Sequence, residues 1–503
     1  MTKCELQIAL VAVTAGLLTA CANGPPKMSS DVAAVAAPLS TAITEIRDKS
    51  IDPPEVDRLF TGALTGLSAI DHNLRFEPAA GSLAVRHGEM IVAQTPRPGA
   101  QDIDVWINDI QTLLTAARAT SKPLAAASSE ALLQAMFDGF MPLLDPYSKY
   151  AGKNEAAHNR SARNGFVGLG VDLQQVSAGA VVVSTLKDGP ATAAGVTAGD
   201  IITHVDGTRL SGLALPAILK RFDGSVDSVA TLAIDRAGVA HTFAVRRALI
   251  IPDTVKTETR NGVLHLTISS FNARTTISIS EAAATAGPLH GVILDLRGGP
   301  GGLLDQAVGV ADLFLDGGVI TNLRGRHPGA TQSYAATPGD IFGRLPVAIL
   351  MDGVSASASE ILAAALQENK RAIVVGTSSV GKGTVQTLVP LPNGGELALT
   401  WARVFTPNGA LLNDRGVLPD ICTTAPTIGP QASVGAIIAA AVRMHAAKPP
   451  TTPSDIKAAR IACRPEPHIN DPTDVEVAEH WLADTGLQTA LAANRVRKSH
   501  KAH

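Results

Sequence analysis

The sequence predicts a multidomain α/β protein: a helical N-terminal region, a β-rich module, an α/β core and a helical C-terminal tail. Three observations carry this. Residues 30–150 place apolar side chains at three- and four-residue spacing. Residues 164–246 alternate in short runs bounded by glycine. From residue 262 onward, short continuous apolar runs each lead through a small-residue turn into a helical pattern, as buried strands followed by helices do. A chain of 503 residues exceeds one hydrophobic core, so about two to four domains are expected. With 46% apolar residues, 17% charged residues and a net charge of −3, the chain is globular and carries no broad attraction for nucleic acid.

Residues 1–20 read as a signal peptide. Lys3 precedes the apolar run Ile8–Leu18, too short to span a bilayer as a mature helix. Leu18-Thr19-Ala20-Cys21 resembles a bacterial lipobox, which implies cleavage before a lipidated Cys21 and a periplasmic lipoprotein held at a membrane of the bacterial cell envelope. An ordinary secretory signal with a chance cysteine is the alternative, and either one exports the protein. Cys4 leaves with the signal. Cys422 and Cys463 then form one pair in an oxidising compartment, and a disulfide is expected to pin the C-terminal tail to the preceding domain.

The region 21–155 is expected to hold helices over Leu39–Arg47, Pro54–Ile70, Asp104–Ala117 and Ser128–Leu144, with a hairpin near Ser82–Val92. Leu64–Asp71 and Met136–Asp145 echo one another, either as an internal repeat or as two amphipathic helices of similar pattern. Residues 160–250 form the β-rich module. Phe166–Leu173 and Ala180–Thr185 alternate, Pro190 opens a short helix, and Asp206-Gly207 is a turn signal. Gly168-Leu169-Gly170-Val171, the stretch Gly189–Gly207 and the helix Leu215–Phe222 together resemble a PDZ domain. In such a module the loop Gly168, Leu169, Gly170 and Val171 turns backbone N–H groups toward a peptide's C-terminal carboxylate, and the adjoining strand offers a free edge.

In the core, 251–425, two segments carry chemistry. Val354-Ser355-Ala356-Ser357-Ala358-Ser359-Glu360 places hydroxyls at a helix start, and Gly381-Lys382-Gly383 sets one lysine among residues too small to shield it. A serine needs a base to act as a nucleophile. Lysine serves only when burial brings it down from about 10.4 toward neutrality. Other patterns compete for these residues. Gly376–Gly383 nearly fits a phosphate-binding loop, but Gly383 stands where the metal-binding hydroxyl belongs. Ser379-Val380-Gly381-Lys382 fits the Ser-x-x-Lys of penicillin-binding enzymes without its companion motifs. Ser355 or Ser359 could replace Ser357, or the serines could simply cap the helix. The histidines show no ligand spacing, and neither a metal nor a cofactor is expected.

The stretches Ile293–Val308, Val354–Gly376, Gly381–Gln386 and Thr406–Ile421, with Asp145–Tyr150 ahead of the β-rich module, closely resemble the carboxyl-terminal processing (tail-specific) serine peptidases, whose core is crotonase-like or ClpP-like. The resemblance implies Ser357 as nucleophile, Lys382 as its base and Gln386 as the residue that orients the lysine. It implies an oxyanion hole from the N–H groups of Gly302 and Ala358. Two positions depart from the family pattern. Gly298-Gly299 follows Asp295-Leu296-Arg297 where Asn or Asp is usual, and Glu368 stands where some members carry aspartate. The implied activity is that of an exported serine endopeptidase cutting proteins at or near their C-termini, with the PDZ-like module binding the substrate's C-terminal end. An adaptor protein is a possible further partner. The alternative is a catalytically inactive PDZ-based scaffold of the envelope. Residues 426–503 read as a helical extension without evident chemistry.

Overall fold

The computed structural model describes residues 28–79, 81–99, 101–424, 432–445 and 452–491. The signal peptide with Cys21, and residues 425–431, 446–451 and 492–503 of the C-terminal region, lie outside the described residues. The chain divides into two compact units: one comprises residues up to Ser40 together with Glu55–Phe140, the other Thr41–Pro54 and Met141 onward. Within the region 21–155, Lys149–Ala151 is a strand of the larger unit, paired with Glu396–Ala398.

In the first unit the helices Val56–Gly66 and Ser129–Phe140 pack with glycine at the crossing. A Cβ on Gly66 would lie 2.0 Å from the Ala135 carbonyl oxygen, and one on Gly139 2.2 Å from that of Gly62. Each helix runs directly into a short 3₁₀ turn, Leu67–Ala69 and Met141–Leu143. The similar sequences thus form similar, paired elements. The expected hairpin is a three-stranded antiparallel sheet, Leu74–Ala79, Ser82–His87 and Met90–Pro96.

In the second unit, residues 166–250 form an antiparallel sheet in the order Val239–Arg246, Val229–Arg236, Ile201–Val205, Gly179–Thr185, Val171–Val176. Val171–Val176 is its edge strand. The Asp206-Gly207 turn has both residues at positive φ, 49° and 75°, as a tight hairpin turn demands.

The core that follows is built on a six-stranded sheet: Val255–Arg260, Val263–Ile268, Gly291–Asp295, Val347–Met351, Ala372–Gly376, Ile421–Cys422. Its first pair is antiparallel and the remaining pairs are parallel. The continuous apolar runs are explained by burial on both faces. Val292, Leu294, Val347, Ile349 and Val374 pack with the helices Leu304–Phe314 and Ala358–Glu368. The alternate residues Ile293, Ala348, Leu350, Ile373 and Val375 pack with Val434–His445 and Pro472–Ala483. The tail 426–503 is thus no separate domain among its described residues: its helices cover the second face of the core sheet. A second sheet, Gln332–Ala335, Val319–Arg324, Glu396–Phe405 and Thr384–Pro390, completes the core.

Candidate active site

Three neighbouring parallel strands end at one place. The loops after Asp295, Met351 and Gly376 carry Gly301-Gly302, Ser357 and Lys382 respectively. The C-terminal edge of a parallel sheet is where such folds assemble sites, because each strand there hands over to a loop free of ladder hydrogen bonding.

Ser357 is the N-cap of the helix Ala358–Glu368, with φ 56° and ψ −115°. A non-glycine residue holds this backbone only when its surroundings impose it. Ser355 and Ser359 are fully buried. The Ser355 hydroxyl donates to the Leu296 carbonyl at 3.0 Å and bonds Asp352, and that of Ser359 donates to the Gly299 carbonyl at 3.1 Å. Of the three serines only Ser357 keeps solvent access.

Glu360, fully buried, ties the site together. Its Oε2 accepts the N–H of Ser357 at 2.7 Å and that of Lys382 at 2.9 Å. Its Oε1 accepts the N–H of Gly381 at 2.6 Å and the hydroxyl of Ser379. Burial pushes this carboxyl above the ordinary range, and the four donors oppose that. Sequence reasoning assigned Glu360 no role. The available signal was Ser357-x-x-Glu360, the pattern of a capping box, with the second function of gripping the lysine loop invisible until the fold is formed.

Lys382 is half-buried beneath Tyr147, its Nζ 5.4 Å from the ring centroid. Burial lowers its pKa and the Lys149 cation lowers it further, while Glu360 and Asp145 act in the opposite sense. The Gln386 amide nitrogen donates to the hydroxyls of Thr384 at 3.0 Å and Thr400 at 3.1 Å. Thr400 in turn donates to Asp145 Oδ1 at 2.7 Å. The Asp145–Tyr150 segment therefore enters the site twice, through the ring of Tyr147 and through Asp145. Lys382 is followed by a strand, Thr384–Pro390, not a helix, which removes the phosphate-loop pattern.

A parallel bridge joins Phe271 to Gly302: Phe271 N–H donates to Gly301 O and Leu303 N–H to Phe271 O. The alternation of a strand leaves the N–H of Gly302 on the other side. Gly301 is held against the Ser357 turn, where a Cβ would lie 2.8 Å from Ala358 N and 2.9 Å from Ser357 Cβ. At the first departure, Gly298 has φ 70°, its N–H donates to Asp352 at 3.0 Å, and a Cβ there would meet Ile469 at 2.9 Å. At the second, Glu368 pairs with Arg415 at 3.3 Å and accepts the N–H of Asn408 at 2.9 Å, a structural link at the helix end.

In the β-rich module the carbonyls of Leu169 and Gly170 accept the N–H groups of Ala191 and Leu186. Leu169 is buried and Gly170 has φ 71°. This loop leads directly into the edge strand Val171–Val176. Cys422 and Cys463 are joined by a disulfide. Among the described residues, no cluster of histidine, cysteine, aspartate and glutamate has the arrangement of a metal site, and no helix is long and apolar enough to cross a membrane.

A serine at positive φ on a helix start, a half-buried lysine whose N–H shares its Glu360 acceptor, and an antiparallel sheet with a free edge ahead of them are the arrangement with which the comparisons with known proteins agree: a serine peptidase with a PDZ domain. The peptidase family S41 model matches residues 262–423 and the PDZ domain model residues 167–246. The carboxy-terminal-processing protease of Bartonella bacilliformis is 36% identical over 318 residues, 61% of this chain and 73% of that protein. A probable CtpA-like serine protease of Staphylococcus aureus is 33% identical over 308 residues, 59% of this chain and 61% of that one. The solved structure of a photosystem II D1 C-terminal processing protease is 27% identical, covering 61% of this chain and 85% of that chain with a TM-score of 0.35. The chain belongs to peptidase family S41, the carboxy-terminal-processing serine peptidases.

Proposed function

We propose that the protein is an endopeptidase that cuts protein chains at or near their C-termini with a Ser357–Lys382 dyad. Lys382 Nζ, uncharged, takes the proton of Ser357 Oγ as the oxygen attacks the scissile carbonyl carbon. The oxyanion is met by the N–H groups of Gly302 and Ala358, a contribution of roughly 3 kcal/mol per donor in comparable sites. The tetrahedral intermediate collapses, the C–N bond breaks, and the ammonium returns its proton to the leaving amine. Water then attacks the acyl-enzyme with Lys382 again as base, releasing the new C-terminus. Gln386, its amide nitrogen committed to Thr384 and Thr400, offers its oxygen to a Lys382 proton.

The observation that carries this reading is the single Glu360 oxygen gripping the backbone of both Ser357 and Lys382. The loop Gly168, Leu169, Gly170 and Val171 takes the substrate's terminal carboxylate, and the chain then adds to the free edge of Val171–Val176. A disulfide suits an oxidising compartment, in keeping with export and a lipid on Cys21 as the anchor in the envelope.

The test is mass spectrometry of the products released from a disordered protein by the wild type, Ser357→Ala and Lys382→Ala. Shortened C-termini should appear with the wild type alone. Equal cleavage by the Ser357→Ala protein would overturn the assignment. A folded wild type that binds C-terminal peptides and cuts nothing would instead establish the scaffold alternative.

A further inference from the structure

The segment 452–474 lies beyond the residues that match the peptidase model, yet it straps the back of the active-site loops. Arg460, on the helix Pro453–Ala462, donates from Nη1 to the carbonyls of Ser379 at 2.9 Å and Arg415 at 2.9 Å, and from Nη2 to that of Val380 at 3.3 Å. Cys463, bonded to Cys422, ends that helix, and Ser378 Oγ donates to its carbonyl at 2.6 Å. Further on, Glu466 O accepts the N–H of Gly353 at 2.8 Å, and His468 N–H donates to Asp352 at 3.1 Å. The fit leaves no slack at two glycines. A Cβ on Gly353 would lie 2.3 Å from the Pro465 backbone, and one on Gly416 2.7 Å from the Arg460 guanidinium.

We propose that Arg460, carried on this disulfide-anchored strap, is a positioning residue of the peptidase site: it fixes the backbone just ahead of Lys382 and supplies the permanent positive charge that buried Glu360 needs, so that Lys382 is left free to act as a base. The inference rests on the Ser–Lys reading. The connection is short. Arg460 holds the carbonyl of Ser379, whose hydroxyl donates to Glu360, and Glu360 and Asp414 are the carboxylates that act on the guanidinium. Around Lys382 stand Lys149, Asp145, Glu360 and the ring of Tyr147. In that set Glu360 favours the charged lysine. The Arg460 guanidinium, linked to Glu360 through Ser379, offsets this, and its removal raises every proton affinity nearby.

The test reads Lys382 directly. Trace acetylation of the intact protein with acetic anhydride across a pH series, with the modified Lys382 quantified by mass spectrometry, gives the pH of half-reactivity without reliance on cleavage. Arg460→Gln should raise that midpoint by about one pH unit, and the acid limb of cleavage should move with it. Arg460→Lys, which keeps the charge, should restore most of the midpoint. If the glutamine variant does not fold, reduction of Cys422–Cys463 in the wild type releases the strap with Arg460 intact and should raise the midpoint in the same direction. A folded Arg460→Gln protein with an unmoved midpoint, or an unmoved midpoint after reduction where that variant fails to fold, overturns the proposal. A wild type that cleaves nothing overturns the dyad reading, and the labelling still decides what Arg460 does.

Discussion

The N–H groups of Ser357 and Lys382 end on the same oxygen of Glu360, at 2.7 and 2.9 Å. The serine turn and the lysine loop are therefore fixed to each other by one acceptor instead of being positioned independently by their strands. Both oxygens of that carboxylate receive N–H donors, and an amide in its place would turn an NH₂ toward two of them.

Glu360→Gln should accordingly separate the two loops without emptying the core. A small displacement of reacting groups is costly, so kcat/KM should fall by about 100-fold, while circular dichroism of the folded protein stays unchanged. A rate within a factor of two of the wild type would show that the shared acceptor does not position the pair.

With Lys382 as the proposed base, the pH dependence of cleavage follows from its surroundings. Its folded-state pKa is lowered, first by burial and then by Lys149, and in the proposed dyad only the neutral amine takes the Ser357 proton. Activity should rise with pH through this lowered value and so be present well below the usual titration of lysine, about 10.4. Lys149→Glu replaces a cation with an anion, raises the Lys382 pKa and moves the acid limb to higher pH by roughly half a unit, less as salt increases. An acid limb moving to lower pH would contradict the sign.

Thr400→Val removes the hydroxyl that links Gln386 to Asp145. The side chain of Gln386 should lose its fixed placement, with a loss in kcat of about tenfold and little change in melting temperature. Gln386→Ala and the double variant should then show the same loss as the single ones. Losses that multiply would place the two residues in separate roles.

The Cys422–Cys463 bond closes a loop with a sequence separation of 41. On the chain-entropy account its removal by paired alanine substitution should destabilise the protein by about 4 kcal/mol, measured by denaturant unfolding of the oxidised and variant proteins. Because the bond also holds the helix of Arg460, activity should decline before the core unfolds. Coincident loss of activity and secondary structure would mean that the bond serves global stability alone.

Much of this was legible in the chain. Buried strands, the Gly-rich turn after Asp295, the serine run and the glycine-flanked lysine announce themselves because local backbone demands and two-sided burial leave a mark on neighbouring residues. The strand after Lys382 and its partner Glu396–Phe405 leave no clear mark in the sequence, since neither burial pattern alternates with a single period of two. Lys149–Ala151 is too short to reveal in the sequence that it pairs with a strand far along the chain.

The sequence by itself determined which residues could carry chemistry: a serine at a helix start, a lysine without bulky neighbours, a peptide-binding module ahead of them. Only the tertiary structure decided what surrounds them. Glu360 as common acceptor, Asp145 behind Gln386 and Arg460 behind Lys382 all join segments distant in the chain. A buried charge must find its partners in space, and one residue's position in a sequence does not record which distant N–H or guanidinium will reach it.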